Sequence, residues 1–257
     1  MVNVFLEEVL CWKKDKPGTF GHTSGFYATV EQQGRLTLHL HGLIWVRGAL
    51  SPQAIRDRLT SKDSVFTARL VAYLESSHQG GFIHGSVETV RAKVKADPEA
   101  EELMQGHPKY KVPTQTFPEA PPPLCTTERC GSQYADCVKL SQWWLKYEHE
   151  IDDLLLRSNI HSCCLSKEGV CKARFPRDVI ENTFLDEDGH VNLKHLERNM
   201  NTVSRIVTYF SRCNTDVTSL LSGTAVKAVI SYVADYVSKL GLKSYQAFAS
   251  VFDVFDK

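Results

Sequence analysis

Gly34-Arg35-Leu36-Thr37-Leu38-His39-Leu40-His41-Gly42-Leu43-Ile44-Trp45-Val46 alternates its side chains with the period of two that marks a β-strand. Successive strand residues point to opposite faces. Leu36, Leu38, Leu40, Ile44 and Val46 therefore share one face, with Gly42 among them, while Thr37, His39 and His41 share the other. The aliphatic face is expected to be the covered one. Two imidazoles two residues apart on one strand face can hold one divalent ion, either a transition metal or Mn2+ or Mg2+ when oxygen ligands and a phosphate complete the shell. An isolated His-x-His also suits a solvated strand face, so a second signal has to give the pair a chemical role.

That signal is Ala225 to Leu240, which lacks Gly and Pro and reads as a helix. At about 100° per residue, Val226, Val229, Ile230, Val233, Val237 and Leu240 form an aliphatic stripe. Tyr232, Tyr236 and Lys239 fall on a neighbouring strip, so the two hydroxyls, at i and i+4, project into one space with the lysine a turn away. Taken alone, such a pair also fits ordinary aromatic packing beside a core. Combined with a metal held by two histidines, it gains a chemistry. The metal polarises a phosphoryl oxygen, and a tyrosine hydroxyl attacks the phosphorus to give a phosphotyrosine. A phenol with a pKa of about 10 needs help near neutral pH, and Lys239 or the metal is placed to give it.

These residues resemble the HUH endonucleases, with Leu40 as the hydrophobic residue between the histidines, and specifically the two-tyrosine domain of Helitron rolling-circle transposases of fungal type. Further matches are Tyr27 to Arg35, the segment Cys171-Lys172-Ala173-Arg174-Phe175-Pro176-Arg177, and Arg212-Cys213-Asn214-Thr215-Asp216. The resemblance implies that His39 and His41 bind Mg2+ or Mn2+ and that Tyr232 and Tyr236 each take a 5′-phosphate, leaving a free 3′-hydroxyl. The same resemblance implies that single-stranded DNA would be cut and transferred between transposon ends and target site. A third ligand in such enzymes is an acid or amide on the adjacent strand. With Gly34-Arg35 as the tip of a hairpin pairing Phe26 to Gln33 with Leu36 to Val46, Gln33 is the first choice and Glu31 the second. The implied fold is α+β, a ferredoxin-like antiparallel sheet with flanking helices; of that sheet the residues themselves give only the hairpin.

The chain contains eight cysteines. The N-terminal Met1 to Glu8 lacks the basic and apolar regions of a signal peptide, which predicts a reducing compartment and metal in preference to disulfides. Cys125, Cys130 and Cys137 follow the run Pro121-Pro122-Pro123, and His161, Cys163, Cys164 and Cys171 lie within eleven residues. Both groups are candidate Zn2+ ligands, in one site or two. The Cys163-Cys164 pair is closer together than in the resembled family, which leaves open which of the two binds. Structural zinc is expected because Cys125 to Cys171 has little aliphatic content of its own. Cys11 and Cys213 stand apart and are expected as core thiols.

Thirty basic residues balance thirty acidic ones over 257 residues, which argues against a bulk electrostatic binder of nucleic acid. Local basic clusters remain at Lys13, Lys14 and Lys16, at Arg56 and Arg58, and at Lys172, Arg174 and Arg177; the last is the candidate DNA contact. A hydrophobic content of 42% is ample for a core, and no apolar run predicts a membrane span.

The expected organisation is an HUH core over residues 1–115, a Cys/His-rich zinc-binding segment over 116–180, and a helical part over 181–257 that carries the tyrosines and packs on the core. Helices are expected over Phe5 to Trp12, from Pro52 through Leu59, over Val65 to Glu75, Ser86 to Met104 with a break near Pro98, Trp143 to Leu156 and Leu193 to Arg212. Complete Helitron proteins add a helicase, but no Gly-x-x-x-x-Gly-Lys-Ser/Thr is present. The expectation is an excised domain of a longer nuclear protein. Two rivals are a zinc-stabilised nucleic-acid-binding module without catalysis, as in a transposon relic, and a phosphodiesterase built on His22-Thr23-Ser24 and His84-Gly85-Ser86.

Overall fold

The computed structural model describes residues 2–32, 38–96, 113–124, 130–131, 133–162, 169, 171 and 173–238, with backbone alone at 32, 38, 95–96 and 233–238. It is a mixed α+β fold with small antiparallel sheets. Two compact units arise, Met1–Arg58 with Leu220–Lys257, and Leu59–Ser219. The expected sequential boundaries at 115/116 and 180/181 do not coincide with them. Instead, the hairpin and the tyrosine helix, far apart in sequence, belong to one unit.

In the first unit, helix α1 (Val2–Val4) widens into a π-helix over Phe5–Val9. Its end is stitched to the start of the hairpin. Thr23 Oγ1 donates to Leu10 O at 3.1 Å, and Gly18 lies so close to Leu10 that a Cβ there would meet the carbonyl oxygen at 2.4 Å. Trp12 meets Phe26 edge to face at 5.2 Å. Strand β1 (Thr23–Gln32) pairs antiparallel with β2 (Leu38–Val46), with Thr29 opposite His41 and Glu31 opposite His39. The expected turn, with Gly34, Arg35 and Gln33, lies outside the described residues. Helix α7 (Gly223–Ser238) completes the unit, opened by Ser222, whose Oγ accepts from Ala225 N at 3.1 Å.

The expectation of a covered aliphatic face needs correction. Ile44 and Val46 are half-buried there, but Val30 is 55% exposed and Leu40, its direct partner across the hairpin, 39% exposed. Beside the histidines the opposite face is the more enclosed one, because Tyr232 of α7 reaches His41 on that side; further along it Tyr27 and Trp45 are exposed. Of the aliphatic stripe expected on α7, Val226 and Val229 are half-buried and Ile230 is exposed, while the Val233, Val237 and Leu240 side chains lie outside the described residues.

The second unit holds the larger core. Helix α2 (Pro52–Thr60), with proline in its first turn, crosses the boundary between the units, and α3 (Ser64–Ser77) is capped by Asp63, whose side chain accepts from Phe66 N at 3.0 Å. Helix α4 (Val87–Ala96) occupies part of the expected Ser86 to Met104 segment; the rest lies outside the described residues. Helix α5 (Ala135–Ser158) is longer than expected and buries Tyr147, Ile151, Leu154 and Leu155 at the i, i+4, i+7, i+8 spacing of one face. These pack with Phe82, Val90, Met200, Val203 and Tyr209, each contributing about 1.5–3 kcal/mol of apolar transfer. The proline-rich connector docks on this helix. Glu119 O accepts from Trp143 Nε1 at 3.2 Å and from Tyr209 Oη at 3.0 Å, and Glu119 pairs with Lys146.

A helix over Leu193 to Arg212 does not form. Only Arg205–Ser211 is helical (α6), preceded by a hairpin of β3 (Phe184–Leu185) and β4 (Val191–Asn192). The intervening backbone is taken up by isolated bridges Ile180 to His195, Ile160 to Met200 and Gln79 to Val203. Those pairings satisfy groups that helical bonds would otherwise use. No helix among the described residues is long and apolar enough to cross a membrane.

Candidate active site

The period of two and the observed register put Thr29, Glu31, His39 and His41 on one face of the hairpin. The His39 and His41 rings lie 4.5 Å apart. His41 Nε2 is 3.4 Å from Glu31 Oε2, with the imidazole 15% and the carboxylate 37% exposed. Tyr232 closes the group from α7: its ring meets that of His41 at 5.4 Å and an interplanar angle of 70°, and the residue stays 46% exposed, open to a ligand. The structure thus brings together four residues singled out in the sequence, His39, His41, Glu31 and Tyr232. The Tyr236 side chain, Lys239 and Gln33 lie outside the described residues.

Thr29 is the member that sequence reasoning missed. Its Oγ1 is buried without a hydrogen-bond partner among the described residues, on the strand position opposite His41. A buried hydroxyl left this way costs about 1–3 kcal/mol, which a bound oxygen or ion would recover. Its signal was present in the sequence: it stands two residues before Glu31, on the same face.

Among the described residues no group of three or more His, Cys, Asp or Glu side chains is placed to hold a metal ion. In chemical type, two imidazoles and a carboxylate suit a divalent ion that also takes phosphate oxygens. At the cysteine-rich segment, Cys171 is buried with Sγ 3.3 Å from His161 Nε2, and the His161 ring stacks on Phe175 at 4.2 Å. Cys137 Sγ accepts from Gly131 N at 3.4 Å, and Cys130 is exposed. Cys125, Cys163 and Cys164 lie outside the described residues. Cys11 is buried as expected, with Sγ 3.7 Å from Glu8 O, but Cys213 is exposed: it follows Arg212, whose left-handed backbone ends α6 and turns the chain outward.

Of the candidate DNA contacts, Arg177 is engaged within its own unit, over the Phe175 ring at 4.7 Å and donating to Asn201 Oδ1 at 3.2 Å. Arg174 is exposed, and Lys172 lies outside the described residues. The Arg212 to Asp216 motif is structural. Buried Arg212 pairs with Glu150 and covers Tyr209, while Thr215 O accepts from Asn159 Nδ2 at 2.7 Å. Burial pushes the Asp216 carboxyl up from its ordinary value, against the pull of Arg177.

Sequence reasoning also missed a polar cluster in the second unit. Asp152, almost fully buried, accepts from Ile83 N, His84 N and His84 Nδ1 at 2.7, 2.9 and 2.9 Å, and His149 stacks on His84 at 5.0 Å. His22 and His84, the paired elements of the phosphodiesterase reading, fall in different units. No family model, curated protein or solved structure matches this chain.

Proposed function

We propose that the first unit is a metal-dependent HUH-type endonuclease that nicks single-stranded DNA through a covalent 5′-phosphotyrosine and passes the strand on, as the transposase domain of a longer, helicase-bearing nuclear protein. The observation that carries this reading is the meeting of Tyr232 with His41, 191 residues apart in sequence, in a cluster with His39 and Glu31. A core aromatic pair explains a tyrosine on a helix; it does not explain why that tyrosine meets a His-x-His motif beside a carboxylate.

His39 and His41, with Glu31 or Gln33, would hold Mg2+ or Mn2+, which when bound would polarise a non-bridging phosphoryl oxygen. Tyr232 Oη attacks the phosphorus; the Tyr–O–P bond forms as the P–O3′ bond breaks. The phenolic proton passes to water, and the departing 3′ oxygen takes one up. Tyr236, one turn further along α7, serves the second attachment. Structural Zn2+ is assigned to the segment of His161 and Cys171, with Cys125, Cys130, Cys137, Cys163 and Cys164 as further candidates. Arg174, Arg177 and Lys172 are its candidate DNA contacts.

The test is cleavage of a labelled oligonucleotide as single strand and as duplex, with Mn2+ or with chelator. The expected result is Mn2+-dependent nicking of the single strand, with duplex a poor substrate. Specific binding without nicking would favour the non-catalytic zinc-stabilised module.

A further inference from the structure

A second feature of the hairpin unit lies at the opposite end of β1 from the histidines. There Trp12, Lys13, Lys14, Asp15, His22 and Arg47 line a cleft of about 430 Å3, four of them basic or imidazole side chains against the single carboxylate of Asp15. The backbone that shapes it is unusual: Cys11 and Lys13 hold left-handed φ values of 49° and 63°, which non-glycine residues rarely adopt. Such backbone is kept where surrounding contacts enforce it, and it often marks ligand clamps. Here Trp12 N donates to Leu6 O at 2.8 Å and the ring is braced on Phe26, so the turn presents Lys13 outward beside the half-buried indole.

The charges are not used up internally. Lys14 pairs with Glu8 at 2.8 Å, whereas Lys13 and Arg47 pair with no carboxylate among the described residues. Ser24 Oγ donates to Trp45 O at 3.0 Å, and Arg47 N donates to His22 O at 2.7 Å, so the rim that carries Arg47 is fixed to β1. Two cations and an aromatic ring lining one cleft match the phosphates and base of a nucleic-acid strand; an acidic peptide would leave the indole unused. From Thr23 in the cleft to Thr29 opposite His41 is six residue steps along β1, about 20 Å at about 3.4 Å each. That span takes at most about six stacked nucleotides.

We propose that this cleft is a strand-docking subsite: Lys13 and Arg47 hold phosphates and Trp12 stacks a base of single-stranded DNA whose continuation runs along the hairpin toward His41 and Tyr232. The proposal rests on the nuclease reading for its substrate class, but its binding can be measured without cleavage.

The experiment is fluorescence anisotropy with a labelled oligothymidylate of about 12 nucleotides in chelator, over a series of salt concentrations. Wild-type protein is compared with Lys13→Asn/Arg47→Gln, asparagine being chosen because it tolerates a left-handed backbone. A control, Lys62→Asn/Lys194→Gln, removes the same charge from the other unit. The subsite variant should bind about tenfold more weakly, with the slope of log affinity against log salt reduced by about 1.4, from two phosphate contacts at about 0.7 each. The control should keep the wild-type slope. Should the double variant fail to fold by circular dichroism, Arg47→Gln alone should lower the slope by about 0.7. An unchanged slope in the subsite variants, or an equal fall in the control, overturns the proposal. Nicking separates the two readings: a wild-type protein that never nicks but binds through Lys13 and Arg47 upholds the cleft and removes the nuclease. One that nicks with affinity independent of them does the reverse.

Discussion

Tyr232 stands edge to face with His41, ring centroids 5.4 Å apart, although one residue belongs to a helix near the end of the described chain and the other to a hairpin near its start. A nucleophile on a helix and metal ligands on a strand can act on one phosphorus atom only if the fold holds them in such a relationship.

His41→Ala should reduce nicking by about a thousandfold, equivalent to about 4 kcal/mol of transition-state stabilisation, with Mn2+ saturating for the wild type. Because the imidazole is half-buried between Glu31 and Tyr232, the variant should also lose about 1 kcal/mol of stability. Single-turnover kinetics and a denaturant titration separate the two effects. Cleavage within threefold of wild type would remove His41 from the chemistry.

Glu31 contacts His41, so Glu31→Ala should weaken Mn2+ binding by about tenfold in calorimetry, about 1.4 kcal/mol. Gln33→Ala measured alongside ranks the two candidate third ligands. A larger loss from Gln33→Ala would make the amide, the first choice from the sequence, the ligand and leave Glu31 as an orienting partner of the imidazole.

How much of this was legible in the sequence depends on the range of each interaction. The hairpin and the grouping of His39 with His41 follow from a period of two, a local property of the strand. The helix start at Pro52 followed from the proline itself, also local, and the start at Ser64 lies one residue before the expected Val65, set by the Asp63 cap. Which face of the hairpin is enclosed was not legible, because it is decided by α7, which arrives from almost two hundred residues away. The same holds for Leu193 to Val203, whose apolar spacing suits a helix but whose backbone pairs with Gln79, Ile160 and Ile180. The Asp152 to His84 contact, spanning 68 residues, leaves no local trace at all.

Purified protein should carry at least one zinc per chain that survives mild chelation. Among the described residues His161 and Cys171, with Nε2 and Sγ 3.3 Å apart, and Cys130 and Cys137 are the candidate ligands. Replacing Cys164 and Cys171 together by Ser should lower thermal stability and weaken DNA binding more than it slows chemistry on bound DNA. Elemental analysis of fresh protein showing no zinc would refute the assignment.

Burial lowers the pKa of His78 below its ordinary 6.5, despite the opposing hydrogen bond from Nδ1 to Leu74 O. The neutral ring is well served there, since Nε2 also lies 3.1 Å from Ser219 Oγ. Between the lowered value and 6.5 the unfolded chain binds more protons than the folded one. This contribution is therefore fully present above about pH 6.5 and is lost as the pH falls through the folded pKa. His78→Asn, whose amide can still donate to Leu74 O, should flatten the fall in melting temperature on acidification. A variant that keeps the wild-type slope would assign the effect elsewhere, with His195, also lowered by burial, the next residue to replace.

The most direct measurement of the central claim is a denaturing gel of the protein with single-stranded DNA carrying its label at the 3′ end, in Mn2+. Attack by tyrosine on the phosphorus leaves the 5′-phosphate of the downstream fragment on the protein, so the 3′ label should migrate with the protein and a 5′ label should appear as a shorter free strand. Tyr232→Phe/Tyr236→Phe should abolish the labelled protein band. No 3′-labelled adduct from the wild-type chain, or an adduct that persists in the double variant, would contradict the account.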